Sequence, residues 1–189
     1  MDEVLRRRLL ALAEQDQVHA NSVLQASERL ESHRGKFLFD IPRDEWLPEY
    51  EAAEESAARL VEELKQILDE HGWPGRSMVG EDGCLSAWVI AQHAGSIDPD
   101  FQRRCERALT VAVENGEAKP GQLAALRDRV ELEAGRPQLY GTHLEPDGDS
   151  WRPAKGVDDE AAVDRRRAEL GLTPWREYLA DCLAGKPEY

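Results

Sequence analysis

The first part of the chain reads DEVLRRRLLALAEQDQVHANSVLQASERLESH over residues 2–33 and contains neither glycine nor proline. Its regularly spaced residues recur in alternating steps of four and three, which places their side chains on one face of an α-helix. The stripe consists of Leu5, Leu9, Leu12, Asp16, His19, Val23, Ala26, Leu30 and His33. We therefore predict a long N-terminal helix over residues 1–34, stopped by Gly35, as in helical bundles and coiled coils.

The stripe becomes polar in the middle of this predicted helix. Asp16 and His19 are three residues apart and would be neighbours on the helix surface. One interpretation is that the carboxylate orients the imidazole beside a wet pocket. The other is that the helix face meets solvent there, and we favour it because burying a carboxylate without a partner is costly.

The rest of the chain predicts a mainly α, single-domain helical bundle with a small C-terminal β-hairpin. The helical core spans 48–135, with helices at about 48–70, 83–94, 98–116 and 119–135, separated by glycine and proline, and a loop at 73–80. The hairpin spans 136–156, with a first strand at 138–144, a turn at Asp147-Gly148 and a return strand from Trp151. Two short helices complete residues 157–189, beginning at Asp158 and at Thr173-Pro174.

Composition limits the classes of partner. Hydrophobic residues make up 41% of the 189-residue chain, enough for a packed core. The formal net charge of −14 would repel nucleic acid and an anionic membrane surface, so we expect neither as a partner. No apolar run approaches the roughly 18 residues of a membrane helix, and the N-terminus does not resemble a signal peptide. We therefore expect a cytoplasmic protein.

Two histidines are the first candidates for acid–base chemistry. His71 and His93 are each predicted in the last turn of a helix, shortly before a glycine. The carbonyl groups exposed at a helix end favour a protonated imidazole, which would suit an acid or base. The competing interpretation is that both are ordinary helix caps.

The predicted hairpin contributes further polar groups. Alternation along a strand would place Tyr140 and Thr142 on one face and His143 on the other, with Gly141 leaving space for another group to approach the backbone. The neighbouring Asp128-Arg129 pair is interpreted as a surface ion pair, although it could equally orient a site.

Other kinds of site have weaker support. A metal could be held by His71, His93 and His143 with Asp98 or Glu81, but the sequence has no HExxH and no Cys/His knuckle. It also lacks a GxSxG nucleophile motif, a GxGxxG motif and a P-loop, so we favour no cofactor and exclude nucleotide binding through a P-loop.

Several short blocks resemble a known family. They are His71-Gly-Trp-Pro74, Val79-Gly80, Gln92-His93, Phe101-Gln102, Asp128-Arg-Val130, Gln138-Leu-Tyr-Gly-Thr142, Val163-Asp-Arg-Arg-Arg167 and Gly171-Leu172. In order and spacing they resemble DUF6624, a bacterial family of uncharacterised proteins, over about residues 65–180, with the N-terminal helix outside the resemblance. The chain departs from the expected pattern at His143, where the resemblance implies glutamine. Because the shared blocks are polar, the resemblance favours a functional site over a bare scaffold.

We expect a small enzyme that applies acid–base chemistry to a small molecule or modified peptide by hydrolysis, dehydration or cyclisation. His93 and His71 would be acid and base, and Tyr140 would donate a proton or stabilise an oxyanion, so all three should converge on one cavity. The expected substrate-binding residues are Trp73, Trp88, Gln92, Gln102, Thr142 and Arg129.

Two alternatives stay open. The chain could be a non-catalytic binding or interaction module, with the N-terminal helix mediating a homodimer. It could also be a metalloenzyme that uses the histidine set named above.

The cysteines give a first testable prediction. Cys84, Cys105 and Cys182 are odd in number, lie among apolar residues and show no CxxC spacing, so we expect three reduced thiols and no disulfide. Titration with a thiol reagent under denaturing, non-reducing conditions should find three free thiols per chain. A single free thiol would contradict the prediction.

Overall fold

The fold is described by a computed structural model, which covers residues 1–31, 47–147, 150–157 and 159–183. Most of these residues are helical, and two short antiparallel strands lie near the C-terminus, which confirms the predicted fold class. The helices are α1 (Glu3–Glu31), α2 (Leu47–His71), α3 (Arg76–His93), α4 (Pro99–Glu114), α5 (Pro120–Glu133), α6 (Glu160–Glu169) and α7 (Trp175–Leu183), with a 3₁₀ turn at Ala94–Ser96. The strands are β1 (Leu144–Asp147) and β2 (Ser150–Pro153).

Helix α1 buries the stripe that the sequence predicts. Leu5, Leu9 and Leu12 are all buried, and α1 packs against both α2 and α3. Asp16 continues the buried stripe with only 8% of its surface exposed, so the interpretation that the helix meets solvent there is wrong. The side chains of His19 and of the later stripe residues lie outside the described part of the chain.

The predicted start of α4 is confirmed, and that of α3 is wrong. Asp98 accepts a hydrogen bond from the Phe101 amide at 2.9 Å, with proline in the first helical turn. Helix α3 begins at Arg76, inside the predicted 73–80 loop, because Glu117 accepts hydrogen bonds from two of its first amides. A break at Gly80, where φ is +77°, interrupts α3 after this first turn.

The C-terminal hairpin is confirmed, but its first strand begins later than predicted. Leu144 pairs with Pro153 and Asp147 with Ser150. Residues 138–143, which the sequence predicts as part of a strand, form an irregular segment that we call the 138–143 loop. Gln138 still forms an isolated β-bridge with Val157, but the backbone amides of Leu139, Tyr140 and Thr142 bond to the Asp128 carboxylate of α5 instead of to a neighbouring strand.

The predicted close approach at Gly141 occurs. Its φ is +69°, and an added Cβ would overlap the indole Nε1 of Trp175 in α7. The same indole nitrogen donates a hydrogen bond to the Gly141 carbonyl at 3.2 Å. Glycine at this position thus lets α7 press the 138–143 loop against the rest of the molecule.

Two further observations concern the described residues as a whole. All three cysteines are free, with Cys84 and Cys105 buried and Cys182 half-buried. No helix in the described ranges has both the length and the apolar character required to cross a lipid bilayer.

We predict that Gly141→Ala destabilises the protein more than Gly171→Ala. Both glycines have positive φ, at +69° and +70°, so each substitution should cost about 1 kcal/mol of unfolding free energy through backbone strain. Only Gly141 faces a side chain, and the contact with Trp175 should add about 1–3 kcal/mol of overpacking. Urea unfolding of the two variants measures the difference. Equal destabilisation would contradict the contact.

Candidate active site

The centre of the candidate site is a hydrogen-bonded pair between α1 and α3. His93, in the last turn of α3, places Nδ1 at 2.8 Å and 3.0 Å from the two carboxylate oxygens of Asp16. Asp16 is buried, whereas the His93 side chain is 48% exposed. The two residues are 77 positions apart in sequence, so the pair exists only through the packing of α1 on α3.

A second contact fixes the register of these two helices. Arg6 of α1 donates hydrogen bonds to Asp82 of α3, through Nε at 2.9 Å and through Nη2. From Arg6 to Asp16 and from Asp82 to His93 the chain advances by nearly the same rise, about 15 Å and about 16.5 Å in an α-helix. The helices therefore run parallel, and the Arg6–Asp82 pair holds the end opposite His93.

Gln102 of α4 holds the C-terminal end of α3 in place. Its side chain is 1% exposed, and its Nε2 donates to the carbonyls of Ala91 and Gln92, at 3.2 Å and 3.0 Å. Both carbonyls lie in the last turn of α3, where the Ala91 carbonyl also accepts from the Ala94 amide. Gln102 thus holds the backbone directly before His93.

His93 borders a cavity of about 230 Å³. The cavity lies between the end of α3, helix α5 and the 138–143 loop. Its lining residues are Trp88, Val89, Gln92, His93, Ala125, Arg129, Thr142 and His143. Six of these, all except Val89 and Ala125, belong to the residues that the sequence singles out.

Arg129 gives the cavity a positive charge. Its Nε is buried and has no hydrogen-bond partner among the described residues. Burial lowers the pKa of Arg129 below its usual value, and the charge of Glu133 acts in the opposite direction. The guanidinium nevertheless stays protonated at neutral pH, because arginine is the most basic side chain.

His143 is neutral beside this charge. Its Nε2 lies 2.9 Å from the Ala125 carbonyl, which can only accept, so Nε2 carries the ring proton. Burial, reinforced by the charge of Arg129, lowers the pKa of His143 to about 4. Nδ1 is then an unprotonated acceptor at neutral pH.

The 138–143 loop carries Thr142 and His143 to the cavity because Asp128 organises it. Asp128 is fully buried and accepts hydrogen bonds from the amides of Leu139, Tyr140 and Thr142 and from the Thr142 hydroxyl, all between 2.7 Å and 2.9 Å. Burial raises the pKa of Asp128, while these hydrogen bonds act in the opposite direction. The interpretation of Asp128-Arg129 as a surface ion pair is therefore wrong.

Buried Gln138 closes the loop on itself. Its side-chain oxygen accepts from the His143 amide at 2.8 Å, and its Nε2 donates to the carbonyls of His143 and Ala154. From the other side, Tyr178 of α7 donates its hydroxyl proton to the Thr142 carbonyl at 3.1 Å. The backbone that carries Thr142 and His143 is thus held from two directions.

The expected convergence of His71, His93 and Tyr140 on one cavity does not occur. His71 ends α2 as an exposed residue beside Glu70, with Nε2 at 3.6 Å from a carboxylate oxygen. The Tyr140 hydroxyl accepts a hydrogen bond from Arg127 at 2.9 Å and does not line the cavity. The helix-end position that His71 shares with His93 therefore carries no information about which tertiary neighbours each ring meets.

Two of the expected substrate-binding residues also lie elsewhere. Trp73 is part of the apolar core, and Gln102 caps α3 as described above. Asp98, a ligand in the weakly supported metal alternative, caps α4 and pairs with Lys65 at 2.9 Å. The proposed set of three histidines with Asp98 is therefore not assembled, and no cluster of three or more potential metal ligands occurs within the described ranges.

Asp16 is the site residue whose role the sequence interpretation missed. Its signal was present, since a carboxylate occupies a core position of an otherwise apolar stripe. The interpretation paired it with His19, its neighbour on the helix, whereas its partner is His93 of another helix.

A second cavity, of about 290 Å³, lies near the start of α3. It contains charged side chains, but Asp82 is paired with Arg6 and Glu117 accepts hydrogen bonds from Ser77. Those hydrogen bonds lower the pKa of Glu117, which keeps it ionised and engaged. The His93 cavity is the better candidate because Arg129 Nε is buried there without a hydrogen-bond partner among the described residues, whereas no such atom belongs to the described residues that line the second cavity.

Fold and cavity together define a mainly helical protein with a candidate acid–base site between α1, α3 and α5. The sequence pattern of DUF6624, a family of unknown function, matches residues 4–184, and the chain belongs to this family. The match includes the N-terminal helix, which corrects the narrower resemblance over 65–180 and brings Asp16 inside the family region. No curated protein and no solved structure matches the chain.

We predict that His143 makes stability depend on pH. Because its folded pKa of about 4 lies below the ordinary value of about 6.5, the unfolded chain binds more protons between these values. The free energy of unfolding should therefore rise with pH across this window. His143→Gln can keep a donor to the Ala125 carbonyl but does not titrate, so it should lose this part of the slope. Urea unfolding of both proteins at several pH values measures how the free energy of unfolding changes with pH. Identical slopes for the two proteins would contradict the lowered pKa of His143.

Proposed function

We propose that this protein is a small acid–base enzyme in which His93, oriented by Asp16, acts on a small molecule or modified peptide in the cavity. The reaction class is hydrolysis, dehydration or cyclisation. The observation that carries the proposal is the bond from His93 Nδ1 to a buried carboxylate at the rim of a cavity whose cation, Arg129, has a buried Nε with no partner among the described residues.

The bond to Asp16 assigns the two ring nitrogens of His93. A carboxylate accepts hydrogen bonds, so the neutral imidazole carries its proton on Nδ1 and leaves the Nε2 lone pair to take another. When Nε2 takes a proton, the ring becomes a cation whose charge Asp16 stabilises. This is the arrangement in which a carboxylate orients and supports a histidine base.

The proton taken by His93 comes from water or from the substrate itself. The residues that line the cavity, within the described part of the chain, include no serine or cysteine. The Thr142 hydroxyl donates its hydrogen to Asp128 at 2.8 Å, so it is held as a structural donor. General-base catalysis without a covalent intermediate therefore fits the site best.

One wall of the cavity is fixed before any ligand arrives. Trp88 donates its indole N–H to the Gln122 carbonyl at 2.8 Å, which fixes the plane of the ring. With its amide oxygen facing α5, buried Gln92 accepts from the Leu126 amide at 3.0 Å and from Trp88 at 3.1 Å. Side chains held in this way reduce the entropy lost on binding.

We predict that His93→Asn abolishes turnover while leaving the fold intact. The asparagine amide can donate to Asp16 from roughly the place of Nδ1 but offers no base at the place of Nε2. Loss of a general base typically lowers the rate about 10²- to 10⁴-fold. The assay follows p-nitrophenyl acetate and a panel of small esters, lactones and amides, with circular dichroism and thermal melting as the measure of folding.

His71→Gln is the matched control, because His71 lies on the exposed end of α2, outside the cavity. It should retain full turnover. If His93→Asn is as active as the wild-type protein, the Asp16–His93 hydrogen bond only stabilises the packing of α1 on α3, and His93 is not the base. Absence of turnover by the wild-type protein across the panel would contradict the hydrolytic form of the proposal.

A further inference from the structure

The two arginines of α5 nearest the cavity differ in how their charge is satisfied. Arg127 donates to the Tyr140 hydroxyl at 2.9 Å, to Glu106 at 3.2 Å and to the Thr110 hydroxyl at 3.3 Å. Arg129, two residues later, has a buried Nε without a partner and forms no hydrogen bond or close ion pair within the described ranges. Arg129 as a whole is half-buried, but a buried N–H without an acceptor is costly, so the Nε group calls for a ligand that supplies one.

We infer that the cavity binds a small carboxylate that carries an N–H or O–H donor next to its carboxylate group, with Arg129 as the anion-binding residue. The inference rests on the proposed function and names the substrate class of the same site. The guanidinium fork matches a carboxylate, which can accept two parallel hydrogen bonds from it.

The charges around the cavity favour a ligand with a single negative charge. Arg129 is the one arginine or lysine among the described lining residues, and His143 is neutral. Asp16, behind His93, adds a buried negative charge close by. A dianionic phosphate would meet one cation and one carboxylate, whereas a monoanionic carboxylate is matched by Arg129 alone.

The donor requirement follows from His143. Its Nε2–H is used by the Ala125 carbonyl, and Nδ1 has no hydrogen-bond partner among the described residues. An unprotonated Nδ1 accepts, so a ligand that satisfies it must present an N–H or O–H. N-acyl amino acids, the C-termini of short peptides and 2-hydroxy acids carry such a donor close to a carboxylate.

The inference can be tested by NMR titration of the ¹⁵N-labelled full-length protein with matched small probes. N-acetylglycine carries both groups, N-acetylsarcosine lacks the N–H, and N-acetylglycinamide lacks the negative charge. Glycolate represents the hydroxy acids, and inorganic phosphate tests the dianion. We expect saturable shifts at the amides of Thr142 and His143, with N-acetylglycine or glycolate binding more tightly than the other three probes.

Arg129→Gln should weaken the binding of the best carboxylate about 10- to 100-fold, as expected for the loss of charge-assisted hydrogen bonds. Its melting temperature should be unchanged or higher, because the substitution removes a half-buried charge that has no partner among the described residues. Arg136→Gln is the control, since Arg136 is exposed and paired with Glu131. Unchanged affinity in Arg129→Gln, a fall in its melting temperature, or tighter binding of phosphate than of every carboxylate would overturn the inference.

The His93→Asn variant separates this inference from the proposed function. Because Arg129 and not His93 holds the carboxylate, this variant should bind the probes as the wild-type protein does. Intact binding with no effect of His93→Asn on turnover would contradict the enzyme and leave the carboxylate site standing. Loss of turnover in His93→Asn together with unaltered carboxylate binding in Arg129→Gln would contradict the carboxylate site and support the enzyme.

Discussion

The buried carboxylate of Asp128 determines the shape of the site. It is completely enclosed, and four donors from the chain just beyond α5 satisfy it. Without those donors the carboxylate would be buried at high cost, and without the carboxylate three backbone amides would lose their acceptor. The 138–143 loop therefore turns back over α5 before the hairpin begins, and it carries Thr142 and His143 to the cavity.

The same helix supplies both the organiser and the recognition group of the site. Asp128 faces inward and accepts four hydrogen bonds, whereas Nε of the next residue, Arg129, finds no acceptor in the described part of the chain. Successive residues of a helix point about 100° apart. Neighbouring residues of α5 can therefore direct the Asp128 carboxylate into the protein and the Arg129 guanidinium towards the cavity. Helix α5 thus both stabilises the 138–143 loop, through Asp128, and places a positive charge at the cavity, through Arg129.

Local sequence signals predicted the helices well and the site only in part. The stripe of α1 and the Asp98-Pro99 start of α4 are encoded within a few residues, and both were found. The start of α3 depends on Glu117, and the 138–143 loop depends on Asp128, both distant acceptors that local periodicity does not reveal. Six side chains of the cavity could be singled out by type. Their grouping could not, because His71 and His93 have the same local signal but different neighbours.

The parallel packing of α1 and α3 has a consequence for how the protein folds. Parallel neighbours cannot be joined by a short turn, so the chain must form α2 and return before Asp16 can meet His93. The other side of the cavity comes later still, since the loop is pressed into place by Trp175 and Tyr178 of α7. Contacts so distant in sequence incur a large loop-closure entropy and slow folding. During synthesis from the N-terminus, the histidine and its carboxylate emerge long before α7, so the cavity is complete only after α7 has been made.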